Sequence, residues 1–275
     1  MLHAAMIAWR TRSHTTDIPY YELCMMTPSP EDIRALIRDK YAGDESASMH
    51  ADIARLAAGE PLAYVIGWIP FLNLRIDLGS HPLIPRPETE YWVEVMLIQL
   101  KKRFSDKPFT FLDLCAGSGA IGLSVLKAFP NAKVSFGELE LPHTELIAHN
   151  ITVNNLDASR ATIRRGNLFA PFFDEQFDVI ATNPPYIPKS RTLDESVVGY
   201  EPPVALFAGS HGLDLIERIA HEAVRHVHSG GELWMECDID NIETARTLVL
   251  SGGANRADIR TDQYGRPRTL VGYYP

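Results

Sequence analysis

From residue 109 onward, short apolar segments alternate with longer amphipathic ones, and this alternation constrains the fold of the 275-residue chain more than any other feature. The short segments have the length and composition of buried strands, whereas the longer ones have helical periodicity. Strands that alternate with helices form a parallel sheet with helices on both faces. The predicted strands are 109–114, 133–138, 161–165, 178–182, 232–237, 257–261 and 268–273, and the predicted helices are 120–129, 142–154, 212–228 and 239–250. The fold class is therefore α/β, with a seven-stranded, mostly parallel sheet.

The segment before this alternation predicts a small helical module. Ser29 fits the N-cap position of a helix whose first residue is a proline, a combination typical of helix starts. A second helix follows and is expected to end at Gly59. Its apolar face predicts burial of Ile53, Leu56 and Ala57.

Between the helical module and the α/β region, the pattern changes again. Residues 64–68 and 72–78 are interpreted as the two strands of a β-hairpin, and 87–100 as a helix. The domain organisation is thus predicted as a helical substrate-recognition domain (1–62), a hairpin linker (63–82) and an α/β domain (83–275).

The composition argues against several classes of protein. The net charge of −9 disfavours generic binding to phosphate backbones, which depends on Lys and Arg, so no direct nucleic-acid binding is expected. Cys24, Cys115 and Cys237 lie far apart and show no metal-ligand spacing, which fits reduced thiols in the cytoplasm and no metal site. No apolar run reaches the length of a membrane span.

A glycine-rich turn follows the first predicted strand of the α/β region. Within 113–122, the residues Gly117, Gly119 and Gly122 match the G-x-G-x-x-G pattern, which lets the backbone approach a ligand closely. Glu138 ends the next strand, about 20 residues further on, where a carboxylate accepts hydrogen bonds from ribose hydroxyls. The pattern indicates an adenosine cofactor in a Rossmann-like cleft and does not by itself distinguish NAD from S-adenosylmethionine.

The tetrapeptide 183–186 is the strongest indication of the chemistry. It follows the strand 178–182, so it lies where open α/β sheets bind ligands. Two prolines stiffen the loop and remove two donors, which leaves the side-chain oxygen of Asn183 and the carbonyl of Pro184 as acceptors. Such a pair can hold a planar –NH₂ group, and the Tyr186 ring can stack on it.

These motifs resemble those of known methyltransferases. Residues 113–122 look like the first motif of class I S-adenosylmethionine-dependent methyltransferases, and 183–186 look like their motif for amide and exocyclic nitrogens. Residues 59–67 and 83–90 are more specific, and together the four segments resemble the HemK/PrmC family. That family methylates the glutamine of the Gly-Gly-Gln motif in class I peptide chain release factors. The resemblance covers residue 59 to the end.

The resemblance implies a Rossmann-like fold, S-adenosylmethionine as cofactor, S-adenosylhomocysteine as product and a release factor as partner. The cofactor-binding residues it implies are Asp113, Ala116, Gly117, Gly119, Glu138, Asn167, Leu168 and Asn183. The substrate-binding residues are Asn183, Pro184, Pro185, Tyr186, Arg86 and Glu90, of which Asn183, Pro184 and Tyr186 are the catalytic set. Glu88 is expected near the mouth of the cleft, and 201–206 resemble a segment near the active site. Asn167 departs from the family pattern, which has an acid there.

Other functions are compatible with parts of the pattern. A nucleic-acid methyltransferase acting on adenine N6 or guanine N2 faces the same amine chemistry, although the net charge argues against it. A ribosomal protein glutamine is an alternative substrate within the same family. A non-catalytic binding module and an NAD dehydrogenase fit less well, because the first leaves the loop 183–186 unexplained and nothing after Glu138 supports hydride transfer.

Overall fold

The structure is a computed structural model that describes residues 27–275. Cys24 and the first 26 residues of the predicted helical domain lie outside the described residues. In residues 27–275, the helices are α1 (Pro30–Asp39), α2 (His50–Ala57), α3 (Leu62–Ile66), α4 (Pro87–Phe104), α5 (Ala120–Ala128), α6 (Leu141–Val153), α7 (Glu195–Val198), α8 (Pro203–Leu206), α9 (Asp214–His226) and α10 (Ile242–Ser251). The strands are β1 (Trp68–Phe71), β2 (Leu74–Asp77), β3 (Phe109–Leu114), β4 (Ala132–Glu138), β5 (Ala161–Arg165), β6 (Phe177–Thr182), β7 (Val227–Glu236), β8 (Arg256–Thr261) and β9 (Pro267–Tyr273).

Helix α1 starts as the sequence predicts. The Ser29 hydroxyl accepts a hydrogen bond from the Asp32 backbone N–H at 3.0 Å, and the Asp32 carboxylate accepts one from the Ser29 N–H at 3.2 Å, which is a complete capping box. In α2 only Leu56 of the three predicted apolar residues is fully buried. The helix instead buries Asp52, which forms a 2.7 Å ion pair with Lys40.

The predicted hairpin is present, but its first strand begins later than expected. Residues 64–66 form part of α3, a single helical turn that starts after Pro61 and ends at Gly67, whose φ is +95°. The hairpin proper pairs β1 with β2 across a two-residue turn at Leu72 and Asn73, both with positive φ. The prediction of a strand over 64–68 was therefore wrong, because a short apolar run fits a helical turn equally well.

Within residues 27–275, seven strands form one sheet in the order β5-β4-β3-β6-β7-β9-β8. The first five strands are parallel, and β9 is antiparallel to both of its neighbours. This confirms the predicted seven-stranded, mostly parallel sheet. Two observed boundaries differ from the predicted ones. Helix α4 continues to Phe104. Strand β7 starts at Val227, because a register shift in its pairing with β6 accommodates extra residues.

Apolar cores lie on both faces of this sheet, as the alternation of strands and helices requires. Along β3, Phe111 belongs to the core formed with α4, α5 and the hairpin, whereas Leu112 belongs to the core formed with α9 and α10. Successive residues of a strand point to opposite faces, so a strand covered on both sides is apolar throughout. No helix in residues 27–275 combines the length and apolarity needed to cross a bilayer.

The order of the strands also fixes where a ligand can bind. Chain order reverses beside β3, with β4 on one side and β6 on the other. The loops that leave these strands at their carboxyl ends therefore diverge and open a crevice between them.

The third glycine of the glycine-rich turn serves this packing. A Cβ at Gly122 would lie 2.3 Å from the Phe136 ring, so only glycine lets α5 pack this closely on β4. We predict that Gly122→Ala lowers the free energy of unfolding by about 1–3 kcal/mol, as overpacked cores do. Denaturant unfolding measures this directly. Gly79→Ala is the matched control, because a Cβ at Gly79 meets no atom within 4 Å, and an equal loss in both variants would contradict the packing argument.

Candidate active site

A cavity lies at the carboxyl edge of the sheet and is partly open to solvent. Three of its wall residues lie at the carboxyl ends of neighbouring strands. Glu138 is the last residue of β4, whereas Cys115 and Asn183 are the first residues after β3 and β6. The full lining is Leu83, Cys115, Gly117, Gly137, Glu138, Leu139, Glu140, His143, Gly166, Asn167, Leu168, Asn183, Pro185, Val204, Ala205 and Leu215.

The glycine-rich turn forms one wall of the cavity. Gly117 and Gly119 have φ of +55° and +81°, a region that favours glycine. A Cβ at Gly119 would also lie 2.7 Å from Leu123. Cys115 has a positive φ too, and its thiol is buried near Glu138 and Asp113, which raises its pKa to about 12. At neutral pH the Cys115 thiol is therefore protonated and has no thiolate nucleophile to offer.

Asp113 stabilises the glycine-rich turn but does not line the cavity. It is fully buried, and its Oδ2 accepts a hydrogen bond from the Gly122 backbone N–H at 2.8 Å. Its Oδ1 has no hydrogen-bond partner within residues 27–275. Burial raises the pKa of the Asp113 carboxyl well above its ordinary value, despite the Gly122 hydrogen bond, and Glu138 adds to the rise. Ala116 and Gly119 likewise shape the turn without lining the cavity.

Glu138 and Glu140 are the acidic residues of the cavity wall, and the Glu138 carboxylate is held by two hydrogen bonds. One carboxylate oxygen accepts from the Gly117 N–H at 2.7 Å, and the other accepts from the Glu140 N–H at 2.9 Å. These two bonds fix the carboxylate against the glycine-rich turn. Each carboxylate oxygen has a second lone pair, so the group can still accept hydrogen bonds from a diol in the cavity.

Asn167 and Leu168 line the cavity on the side of β5. Leu168 is buried, with a φ of +50° that turns the chain sharply after the strand. The Asn167 side-chain oxygen lies 3.4 Å from Arg218 Nη1, a long contact on an exposed face. The amide oxygen therefore keeps acceptor capacity where the resemblance implies an adenine amine.

Sequence reasoning gave no role to His143, which projects from α6 into the cavity wall. Its Nδ1 lies 2.7 Å from the Ser80 hydroxyl. Burial lowers the pKa of His143, and the nearby Glu138 and Glu140 carboxylates only partly offset this. The imidazole is therefore neutral at physiological pH. A histidine in the first turn of α6 carries no sequence pattern that places it beside the cavity.

The tetrapeptide 183–186 closes the end of the cavity next to β6. Asn183 and Pro185 line the cavity, whereas Pro184 and Tyr186 lie behind this wall. The Asn183 side-chain NH₂ donates to the Thr89 hydroxyl at 3.3 Å. Neither the Asn183 side-chain oxygen nor the Pro184 carbonyl accepts a hydrogen bond within residues 27–275.

Tyr186 is anchored at its hydroxyl. The O–H donates to the Glu236 carboxylate at 2.9 Å, and the ring packs against the core formed with α9 and α10. Burial raises the pKa of Tyr186 well above its ordinary value, and the Glu236 charge adds to the rise. The hydroxyl is therefore protonated and acts as a donor.

The charged residues of 86–90 have partners elsewhere in the chain. Arg86 forms a 2.5 Å ion pair with Glu201, whose second oxygen accepts from the Ile84 N–H at 3.2 Å. The Glu90 carboxylate accepts from the Leu72 N–H at 2.7 Å, so it ties the hairpin turn to α4. Glu88 pairs with Arg266 at 2.8 Å. None of Arg86, Glu88 and Glu90 lines the cavity.

Sequence reasoning also missed Thr89, Trp92 and Glu236, which form a buried hydrogen-bonded cluster behind Asn183. Thr89 lies inside the motif 83–90. Glu236 is the last residue of β7, and its position could have indicated a role near the site, because ligands bind at the carboxyl ends of parallel strands. Leu83, Val204 and Ala205 come from segments that the motifs had marked. Leu215 belongs to α9, which carried no motif.

Comparison with known proteins identifies the family. Residues 93–199 match the model of the methyltransferase small domain. The chain is 31% identical over 240 residues to the release factor glutamine methyltransferase of Lactococcus lactis, covering 86% of this chain and 85% of the relative. It is 34% identical over 224 residues to that of Rhodopirellula baltica, covering 79% and 75%. The chain belongs to the release factor glutamine methyltransferase family. It is an enzyme, and the resemblance drawn from its motifs is confirmed.

The solved structures bear on the fold. The 16S rRNA N2 G1207 methyltransferase of T. thermophilus, in complex with AdoMet and guanosine, superposes with a TM-score of 0.52 at 15% identity over 76% of this chain and 50% of that one. This likeness supports the Rossmann-like methyltransferase fold of the family member described here. It says nothing of the substrate, because such folds host many reactions.

The neutral His143 makes the stability of this methyltransferase pH-dependent. Since the folded pKa lies below the unfolded one, the unfolded state binds more protons as pH falls through the ordinary histidine range. We predict that lowering the pH from about 7.5 to 5.5 destabilises wild type more than His143→Gln. Denaturant unfolding at both pH values measures the difference. His221→Gln, at an exposed position on α9, is the control. A wild-type advantage over His143→Gln that grows at low pH would contradict the assignment.

Proposed function

We propose that this protein transfers a methyl group from S-adenosylmethionine to the side-chain amide nitrogen of the glutamine in a Gly-Gly-Gln motif of a class I release factor. The observation that carries the proposal is the pair of acceptors at Asn183 and Pro184, which lack partners in residues 27–275 and belong to the loop that ends the cavity. Family membership supports the same reaction. The chain's net charge of −9 disfavours a nucleic-acid substrate.

The residues of the cavity suit S-adenosylmethionine. Glu138 offers carboxylate lone pairs to the ribose hydroxyls, Asn167 offers an amide oxygen to the adenine amine, and Gly117 allows close approach of the backbone. When bound, the cofactor supplies an electrophilic methyl group attached to a sulfonium sulfur. Asp113, Ala116, Gly119 and Leu168 act by holding the turn and the wall in shape.

The loop 183–186 is proposed to bind the glutamine carboxamide. The Asn183 side-chain oxygen and the Pro184 carbonyl would each accept one N–H of the substrate amide. Amide nitrogen is a poor nucleophile because its lone pair is delocalised, so holding both hydrogens directs the remaining lone pair toward the methyl donor. As the N–C bond forms and the methyl C–S bond breaks, with S-adenosylhomocysteine as the leaving group, positive charge would grow on the nitrogen. Both acceptors would then bind the N–H groups more strongly, which would stabilise the transition state selectively. One N–H proton then leaves to water.

The roles of the neighbouring residues follow from their anchors. The Tyr186 hydroxyl holds the far end of the loop on Glu236, and packing of its ring on the glutamine stays a prediction. Arg86 and Glu201 would fix the segments on either side of the cavity wall, and Glu90 would act through the hairpin turn. The domain boundaries at 62 and 82, the recognition role of the helices before the hairpin and a cytoplasmic location also stay predictions.

Asn183→Ala tests the acceptor pair. We predict that S-adenosylhomocysteine still binds within about threefold of wild type, because Glu138 and Asn167 remain, whereas methyl transfer falls by at least about 100-fold, since the substrate loses its orienting acceptor. Calorimetry and transfer of radiolabelled methyl groups measure the two quantities. Asn255→Ala, which truncates an exposed asparagine, is the control. Turnover of Asn183→Ala within threefold of wild type would refute the loop assignment.

A second experiment tests the substrate. Wild-type enzyme is incubated with radiolabelled S-adenosylmethionine and either a class I release factor, its Gln→Ala variant in the Gly-Gly-Gln motif, a ribosomal protein fraction, tRNA or DNA. We expect label in the release factor and none in the Gln→Ala variant, because the amide nitrogen is the acceptor. Label only in nucleic acid or only in ribosomal protein would overturn the proposed substrate.

A further inference from the structure

A buried carboxylate lies behind the loop 183–186, outside the cavity. Glu236, at the end of β7, is 1% exposed. Its Oε2 accepts hydrogen bonds from the Thr89 hydroxyl at 2.6 Å and the Trp92 indole N–H at 2.8 Å, and its Oε1 accepts from the Tyr186 hydroxyl at 2.9 Å. These donors belong to α4 and to the loop after β6, so one carboxylate joins three parts of the fold.

Burying the Glu236 carboxylate costs free energy of desolvation, so apolar side chains would stabilise this part of the core more effectively. Within the described part of the chain no Lys or Arg pairs with Glu236, so three neutral donors compensate its charge. Replacing buried charged groups with apolar ones of similar shape is often neutral or stabilising. Packing alone therefore gives no reason for a carboxylate at this position. A carboxylate differs from other side chains in that both of its oxygens only accept, which dictates the direction of every hydrogen bond around it.

The direction of these bonds determines the orientation of the Asn183 amide. A threonine hydroxyl has a single proton, and Thr89 donates it to Glu236. Toward Asn183 the same hydroxyl oxygen can then only accept, so the asparagine must present its NH₂ group, as observed at 3.3 Å. The opposite orientation would bring two acceptor oxygens together. The Asn183 oxygen is consequently left for the substrate. The directions of the hydrogen bonds around Thr89 therefore determine this orientation by themselves.

We propose that Glu236 and Thr89 are positioning residues that fix the Asn183 amide with its oxygen available to the substrate, while Glu236 holds the other end of the loop through Tyr186. The inference rests on the proposed function, in which the Asn183 oxygen accepts a substrate N–H. Neither Glu236 nor Thr89 lines the cavity, so both act through Asn183 and Tyr186 rather than by touching the reacting groups.

Thr89→Val and Thr89→Ser test the relay by removing the hydroxyl and the methyl group of Thr89 separately. Valine keeps the shape of the buried threonine and removes the hydroxyl, whereas serine keeps the hydroxyl and removes a buried methyl group. We expect kcat for release-factor methylation to fall at least tenfold in Thr89→Val and to stay within threefold of wild type in Thr89→Ser. The affinity for S-adenosylhomocysteine should stay within threefold in both. A merely structural role would instead lower the affinity for S-adenosylhomocysteine together with kcat in Thr89→Val.

Glu236→Gln tests the carboxylate itself. A glutamine has one acceptor oxygen for three donors, and its NH₂ group can donate to Thr89, whose proton then becomes free to bond the Asn183 oxygen. We expect kcat to fall at least tenfold without a matching loss of S-adenosylhomocysteine affinity. In the Asn183→Ala background, Thr89→Val should reduce the residual rate by less than threefold, because residues that act through one another are not additive.

The side-chain amide of Asn183 gives a readout that needs no substrate. Its NH₂ resonances, assigned by their loss in Asn183→Ala, should shift in Thr89→Val and Glu236→Gln and return close to their wild-type positions in Thr89→Ser. If these shifts appear but wild type does not methylate a release factor, the proposed function fails and the relay stands. If wild type methylates the release factor while neither kcat nor the amide resonances respond to Thr89→Val and Glu236→Gln, the relay is overturned.

Discussion

Parallel pairing of β4, β3 and β6 is the constraint on which the site depends. Leu114 at the end of β3 is level with Gly137 on one side and Thr182 on the other. The next residue along each strand or loop is Cys115, Glu138 or Asn183, and all three line the cavity. A shift of one residue in either pairing would move Glu138 or Asn183 to the opposite face of the sheet. The same hydrogen bonds that stabilise the sheet therefore set the spacing between Glu138 and Asn183 in the cavity.

Buried acids then hold the loops that leave this edge. Asp113 holds the start of α5, Glu138 holds the glycine-rich turn, Glu201 holds the chain before α4, and Glu236 holds the loop after β6. Each of them accepts at least one hydrogen bond from a backbone N–H or a neutral side-chain donor. Because a carboxylate only accepts, Glu138, Glu201 and Glu236 take up donors of their loops and leave acceptors to face a ligand. That distribution suits a substrate whose reacting group is an –NH₂.

The sequence could predict features that depend on local pattern. The period of the apolar residues gave the sheet and its helices, and the glycines of 117–122 together with Glu138 gave one wall of the cavity. Asn183 could be predicted as a hydrogen-bond acceptor from the sequence, because the effect of the two following prolines on the backbone is local and known. The sequence over α3 was wrongly interpreted as a strand, because its five residues are mostly apolar. Pro61 before it and Gly67 after it are signals of helix boundaries and could have indicated the helix.

What could not be predicted depends on contacts distant in sequence. Thr89 and Glu236 are 147 residues apart, and neither has a pattern that points to the other. His143 reaches the cavity only because α6 packs back along the sheet, and Arg86 meets Glu201 from a loop 115 residues away. The resemblance to a family marked 83–90 and 201–206 as motifs, but it could not say that a salt bridge joins them. The ion-pair partner of each charged residue in a motif depends on the tertiary structure.

The choice of substrate must lie largely outside the sheet. The rRNA methyltransferase that shares this fold at 15% identity is named for a guanine substrate, so the fold by itself does not select a protein glutamine. In the present chain, Leu83, Val204 and Ala205 line the cavity from segments that leave the sheet altogether. The Arg86–Glu201 ion pair and the Ile84 hydrogen bond join those segments, with Glu201 buried at the junction. A wall built this way can change its side chains without disturbing the parallel pairing beneath it, which is how one fold can present the same amine chemistry to different substrates.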